Sequence, residues 1–304
     1  MGKVAFLFSG QGAQHTGMGR SLYESSAAAK AVFEMAERLR PGTVEQCFEG
    51  DAAALAQTRN TQPCLFACDL AAARAAEEAG ISADFAAGFS LGELAALCFA
   101  GALPDEEAFR LVCRRAELMD AAAKAHPGRM AAVLKLPADR VEAICAGLDR
   151  AYPVNYNSEF QTVVACAEES FDPLCAAVKE AGGRAMPLKV SGAFHSPFMA
   201  EAAEGMREAV KEYAFAKPRI PLYSNVTGAP YGAEIGAGLA AQVESPVRWT
   251  ATVKDLAERG VTRFVEVGVG KTLEGLVKKT LPEAAVCHIE DKESLDAASG
   301  ECAR

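Results

Sequence analysis

Val4 to Phe8 is a run of five apolar residues with no polar interruption, the pattern of a strand buried on both faces in a parallel sheet. It breaks into a glycine-rich turn, Ser9-Gly10-Gln11-Gly12-Ala13-Gln14. Residues 62–80 predict a strong helix, with Pro63 in its first turn and Gly80 at its end. A short strand near 84–87, a turn at 88–90 and a helix starting near Leu91 come next. Pro104 and the acidic residues behind it open a long helix over 105–124.

The pattern changes after His126-Pro127-Gly128. A strand at 130–136, a helix at 138–148, strands at 152–155 and 162–166, a helix at 170–181 and a strand at 185–190 make a β-α-β-β-α-β order, which is ferredoxin-like. Beyond it, apolar strands are expected at 221–225, 263–267 and 284–289 among further helices. The last dozen residues are polar and are expected to be loose. The fold class is therefore α/β: a large α/β-hydrolase-like domain with a parallel sheet, residues 1–127 and 193–304, carrying a smaller inserted ferredoxin-like domain at 128–192.

Composition narrows the function. A chain of 304 residues can bury a sizeable core. The net charge of −9 argues against nucleic-acid binding, whose affinity comes from Lys and Arg neutralising phosphates. The 10 cysteines contain no CxxC pair, and Cys64, Cys68, Cys98, Cys113, Cys145 and Cys175 lie in alanine- and leucine-rich helical stretches, so reduced thiols are expected rather than disulfides or a metal site. The apolar run before Ser9 is too short for a signal peptide, and no stretch is long enough to span a membrane. A cytoplasmic protein is expected.

Gly88-Phe89-Ser90-Leu91-Gly92 fits G-x-S-x-G, a strand-to-helix turn that lifts a serine hydroxyl clear of a sheet. At a helix start, Ser90 meets free backbone N–H groups and a positive helix end, both able to stabilise an oxyanion. A serine needs a base to take its proton, and the chain has 4 histidines. His126 reads as a turn residue, His288 as part of a late strand and His15 as a surface residue. His195, in Gly192-Ala193-Phe194-His195-Ser196, falls where the inserted domain returns to the large one, and it is the best base available.

With these segments in hand, the chain resembles the malonyl-CoA:acyl carrier protein transacylases of fatty acid synthesis and, through them, the acyltransferase domains of polyketide synthases. The likeness spans nearly the whole chain. It rests on Gly10-Gln11-Gly12-Ala13-Gln14, Gly88-Phe89-Ser90-Leu91-Gly92-Glu93, the Arg114-Arg115 helix, Gly192-Ala193-Phe194-His195-Ser196, and Gln242-Val243-Glu244-Ser245-Pro246-Val247-Arg248-Trp249, in that order. The resemblance implies Ser90 as nucleophile, His195 as its base, the N–H groups of Gln11 and Leu91 as the oxyanion hole, and the main-chain carbonyl of Gln242 as the support of the histidine ring. It implies Arg115 as the binder of the malonyl carboxylate, which a guanidinium fork suits and lysine does not. Arg114 reads as solvated surface. An Arg115 left without its carboxylate would be an unpaired buried charge, giving about 10²–10³-fold discrimination against uncharged acyl groups. Phe194 matches the malonyl-selective form, and Asn155 and Asn157 match a motif lining the cleft. The family usually has histidine where Phe89 stands and GPGK where Gly268-Val269-Gly270-Lys271 stands.

The implied reaction is a ping-pong exchange from malonyl-CoA to the pantetheine thiol of acyl carrier protein through malonyl-Ser90, with no metal or redox cofactor. The implied partner is acidic, so a basic patch is expected at the cleft, with Lys189 and Arg184 as candidates. A monomer is expected. The alternatives are a trans-acting polyketide acyltransferase, a serine esterase with an acidic third triad member, and a non-catalytic docking protein.

Overall fold

The structure, a computed structural model, describes residues 2–302. Four parallel strands form the large sheet in the order β2-β1-β7-β8: β1 (Lys3–Phe8), β2 (Phe85–Gly88), β7 (Val261–Val267) and β8 (Ala285–Ile289). Val4 to Phe8 are all buried, because Val4, Phe6 and Phe8 pack into one core cluster and Ala5 and Leu7 into another on the opposite face. In register, Phe8 pairs with Gly88 on one side and Val267 on the other. Three strands thus end at one level, and the turns after them, Ser9–Ala13, Phe89–Leu91 and Gly268–Lys271, crowd together at the carboxyl edge, where open parallel sheets bind ligands.

The second sheet is antiparallel, in the order β4-β5-β3-β6: β3 (Arg129–Leu134), β4 (Ala151–Ser158), β5 (Gln161–Cys166) and β6 (Arg184–Pro187). Helices Ala138–Ala146 and Phe171–Glu180 complete the ferredoxin-like arrangement. One backbone seam ties this sheet to the segment that precedes the helix Trp249–Glu258. Val247 donates its N–H to Val154 at 2.8 Å, and Tyr156 donates to Val247 at 2.9 Å. That seam holds β4 beside the segment that carries Gln242.

Several elements differ from expectation. The helix placed at 62–80 spans Thr58–Glu78, so Pro63 lies in its interior rather than its first turn. The bond lost there is to the carbonyl of Arg59, near the exposed start of the helix, where water can replace it. Gly80 does end the helix: it is left-handed at φ 85°, and Ile81 donates back to Ala76. The segment at 221–225 forms single bridges, Ala86 with Leu222 and Tyr223 with Pro230, instead of a strand. β6 stops at Pro187, and only one further backbone bond, from the Leu188 N–H to the Met130 carbonyl at 2.9 Å, continues its pairing with β3. The last dozen residues are not loose as far as they are described: Lys292–Cys302 is a helix whose Leu295 and Ala298 pack into the core. Among the described residues no helix is long and apolar enough to cross a membrane.

Gly88 and Gly92 let β1, β2 and the helix Gly92–Phe99 close on one another. A Cβ on Gly88 would lie 1.9 Å from the Gly92 carbonyl carbon, and one on Gly92 would lie 2.2 Å from the Phe8 oxygen. The obstacles are backbone, so no rotamer change relieves them. Gly88→Ala should therefore destabilise the protein by about 3 kcal/mol or prevent its accumulation, read by thermal unfolding; an unchanged melting temperature would contradict this packing.

Candidate active site

Ser90 lies two residues past Gly88, the end of β2, and has a left-handed backbone, φ 55°. For a residue with a Cβ this conformation costs about 1–2 kcal/mol. Asn225 supplies the restraint: its side-chain NH2 donates to the Gly88 carbonyl at 2.6 Å, and its Oδ1 accepts the Ser90 N–H at 2.7 Å. The elbow is pinned from below and Oγ points outward.

His195 is also left-handed, φ 60°, just before a short turn capped by Ser196. Its Nε2 lies 2.7 Å from Ser90 Oγ and its Nδ1 lies 2.9 Å from the Gln242 carbonyl oxygen. A carbonyl only accepts, so the ring proton sits on Nδ1 and the Nε2 lone pair faces the serine hydroxyl. Burial and the nearby Arg115 charge push the ring's pKa down from 6.5 to about 4. At neutral pH it is uncharged and able to take a proton.

Arg115, from the helix Asp105–Ala125, is fully buried. Nη1 donates to Gln62 Oε1 at 2.7 Å, and Nη2 donates to Gln242 Oε1 at 2.8 Å and to Ser90 Oγ at 3.3 Å. Only Nε lacks a partner. Burial lowers its pKa to about 10 against the opposing pull of Glu93, so it stays a cation. The expectation of a bare charge in the absence of substrate is therefore corrected: two glutamine carbonyls hold the fork in advance. A carboxylate reaching this fork would replace a hydrogen bond rather than neutralise a bare charge, which is worth less than pairing an unpartnered buried charge.

Beneath these groups lies Glu93, also fully buried. Its Oε2 accepts from the Asn225 N–H at 3.0 Å and from Gln242 Nε2 at 2.9 Å, and its Oε1 accepts from the Tyr231 hydroxyl. Gln242 Nε2 donates as well to the Ser90 carbonyl at 2.7 Å. Burial pushes the Glu93 carboxyl up to about 7.

Above the serine is a cavity of about 300 Å³, lined among others by Gln11, Phe89, Asn155, Asn157, Phe194 and His195. Gln11 belongs to the first glycine turn, and its side-chain oxygen accepts from Gln62 Nε2 at 3.2 Å. Leu91 follows Ser90 and is buried. Among the described residues neither the Gln11 nor the Leu91 N–H donates to a protein acceptor. Phe89 sets its ring edge against Trp249, 5.4 Å between centroids, making an apolar wall where a histidine would have presented a polar one. Lys189 is exposed between Leu188 and Val190, both of which line the cavity; Arg184 is exposed on β6 and does not line it.

The expected residues Ser90, His195, Gln11, Phe194, Asn155 and Asn157 thus line one cleft, and the buried Arg115 and Gln242 join them through hydrogen bonds to Ser90 and His195. The other histidines lie elsewhere, His15 against Glu290, His126 against Glu201 and His288 against Glu274. Arg114 is exposed beside Glu117. Sequence reasoning did not single out Gln62 or Asn225, and it left the Gln242 side chain without a role. Their contacts reach 53, 135 and 127 residues along the chain, so no local spacing reveals them.

The lowered histidine pKa makes a sign-definite prediction. A base that is neutral above about 4 keeps kcat/KM for acylation flat from about pH 8 down to about pH 5, with the acid limb below it. Removing the cation with Arg115→Met should move that limb upward. A wild-type midpoint near 6.5 would contradict the burial of the ring.

The model of the acyl transferase domain matches residues 5–297. The malonyl CoA-acyl carrier protein transacylase of Bacillus subtilis (strain 168) is 38% identical, covering 98% of this chain and 96% of that protein. Among solved structures, the malonyl CoA-acyl carrier protein transacylase of Clostridium perfringens superposes with a TM-score of 0.95 at 32% identity, over 98% of this chain and 96% of that one. A malonyl-transacylase solved in complex with its type II polyketide acyl-carrier protein superposes with a TM-score of 0.94 at 32% identity, over 98% of this chain and 99% of that one.

Proposed function

The chain belongs to the acyl transferase family, and from that membership we propose that it transfers malonyl from malonyl-CoA to the pantetheine thiol of an acyl carrier protein through an ester on Ser90. The observation that carries the reading is the convergence of two side chains on one hydroxyl: His195 Nε2 at 2.7 Å and Arg115 Nη2 at 3.3 Å from Ser90 Oγ.

Ser90 Oγ gives its proton to His195 Nε2 and forms a bond to the thioester carbonyl carbon. The carbonyl oxygen becomes an oxyanion, stabilised by the Gln11 and Leu91 N–H groups. As the C–S bond breaks, CoA thiolate leaves and takes the proton from the imidazolium. The malonyl carboxylate turns to Arg115, exchanging places with a glutamine carbonyl as partner of the fork. In the second half the carrier thiol gives its proton to His195 and its sulfur attacks the ester carbonyl. The bond to Ser90 Oγ breaks and the proton returns to that oxygen. Asn155, Asn157 and Phe194 shape the cleft around the acyl chain. An esterase of the triad kind would orient the histidine with a carboxylate; here the partner of Nδ1 is a main-chain carbonyl. Fatty acid synthesis is the pathway favoured over a polyketide assembly line, and a side-by-side rate comparison of the two kinds of carrier distinguishes them.

Brief mixing with malonyl-CoA followed by intact-mass measurement should reveal one malonyl group per chain, absent in Ser90→Ala and discharged faster by carrier protein than by water. Rapid hydrolysis without build-up would favour the esterase, and no adduct at all would favour a docking protein. Arg115→Ala should lose about 10–10²-fold more malonyl than acetyl transfer, the worth of charged hydrogen bonds to one carboxylate. Equal losses would remove the carboxylate-binding role.

A further inference from the structure

We propose that Glu93 is a positioning residue: it fixes the side-chain amide of Gln242 in one orientation and so holds Ser90, His195 and Arg115 in a single register. The inference rests on the reading of Ser90 and His195 as the acyl-transfer pair.

An amide side chain has a donor end and an acceptor end of nearly equal shape, and only its neighbours decide which way it faces. Gln242 Nε2 meets two acceptors, Glu93 Oε2 at 2.9 Å and the Ser90 carbonyl at 2.7 Å. Its Oε1 therefore faces Arg115 Nη2 at 2.8 Å. Turned over, the NH2 would point at a buried cation while the carbonyl met two further oxygens. Every contact would become repulsive, with Arg115, Glu93 and Gln242 all buried. The same residue supplies the main-chain carbonyl that holds His195 Nδ1. Gln242 thus touches the nucleophile's backbone, the base and the guanidinium, and Glu93 determines how.

Glu93 also reaches the serine by a second route. Its Oε2 accepts the Asn225 N–H, and Asn225 is the residue that grips Gly88 and Ser90. A different role, that of counter-ion to Arg115, separates cleanly from this one. Arg115 makes its hydrogen bonds to Gln62, Gln242 and Ser90, and the Gln242 side chain stands between the two charges. Glu93→Gln removes the charge and keeps the acceptor. The new carboxamide oxygen takes the place of Oε2, and its NH2 faces the Tyr231 oxygen, a hydroxyl that can accept as well as donate.

The experiment is rapid-quench intact-mass measurement of malonyl-Ser90 and acetyl-Ser90 formation in the wild type, Glu93→Gln and Glu93→Ala, with thermal unfolding recorded for each. Glu93→Ala should slow acylation about 10²-fold for both acyl groups alike, at saturating acyl-CoA, because the register of the reacting pair is lost. Glu93→Gln should stay within about threefold of wild type, the spread expected for a rebuilt hydrogen bond. A folded Glu93→Ala protein of wild-type rate would overturn the proposal, as would a Glu93→Gln protein as slow as Glu93→Ala. Should Glu93→Ala not fold, Glu93→Gln decides alone, since the counter-ion role demands a large loss there. Failure of the underlying acyl-transfer reading looks different: wild type itself would then form no adduct on Ser90.

Discussion

Ser90 and His195 stand 105 residues apart in sequence and meet at 2.7 Å, and each does so from a left-handed backbone that a residue with a Cβ avoids. Neither would keep that conformation in isolation, so the contact exists only because the surrounding framework over-determines both ends. At the serine the framework is the glycine-lined closure of β1, β2 and the following helix, with Asn225 gripping the elbow. At the histidine it is the Ser196 cap and the Gln242 carbonyl. The seam between β4 and Val247 keeps the inserted sheet, and with it one wall of the cleft, next to the segment bearing that carbonyl.

The electrostatics follow from the same enclosure. A guanidinium without solvent must have its protons accepted, and here carbonyl oxygens of Gln62 and Gln242 accept them in place of a carboxylate. Glu93, the carboxyl whose charge acts on Arg115, is linked to it through the Gln242 amide. This leaves a cation that is hydrogen-bonded yet not paired with a fixed anion, suited to an incoming carboxylate. The cation and the burial together keep His195 neutral. The charge proposed to bind the carboxylate is thus the same one that helps keep the imidazole neutral.

Much of this was legible in the chain. The uninterrupted run at Val4–Phe8 reads as a doubly buried strand, and β1 is one. The ferredoxin-like order was visible because each of its elements is short and bounded by turn residues. Local pattern failed where tertiary packing decides. Pro63 suggested a helix start, but the helix begins at Thr58, with Thr61 hydroxyl bonding and the Gln57 carbonyl closing its first turn. Residues 221–225 look like a strand yet make single bridges at the sheet edge. At the site, Ser90 and His195 carry recognisable motifs, whereas Gln62 and Asn225 are ordinary residues whose meaning arises only from what folding sets against them.

In the proposed mechanism one pocket holds the acyl ester and its carboxylate together. A crystal structure of the enzyme frozen after a short soak in malonyl-CoA tests it most directly. The claim requires continuous density from Ser90 Oγ to a malonyl group whose carboxylate lies within about 3 Å of the Arg115 guanidinium nitrogens. Density on a different side chain, or a carboxylate pointing to solvent with Arg115 still bound to both glutamines, would contradict it.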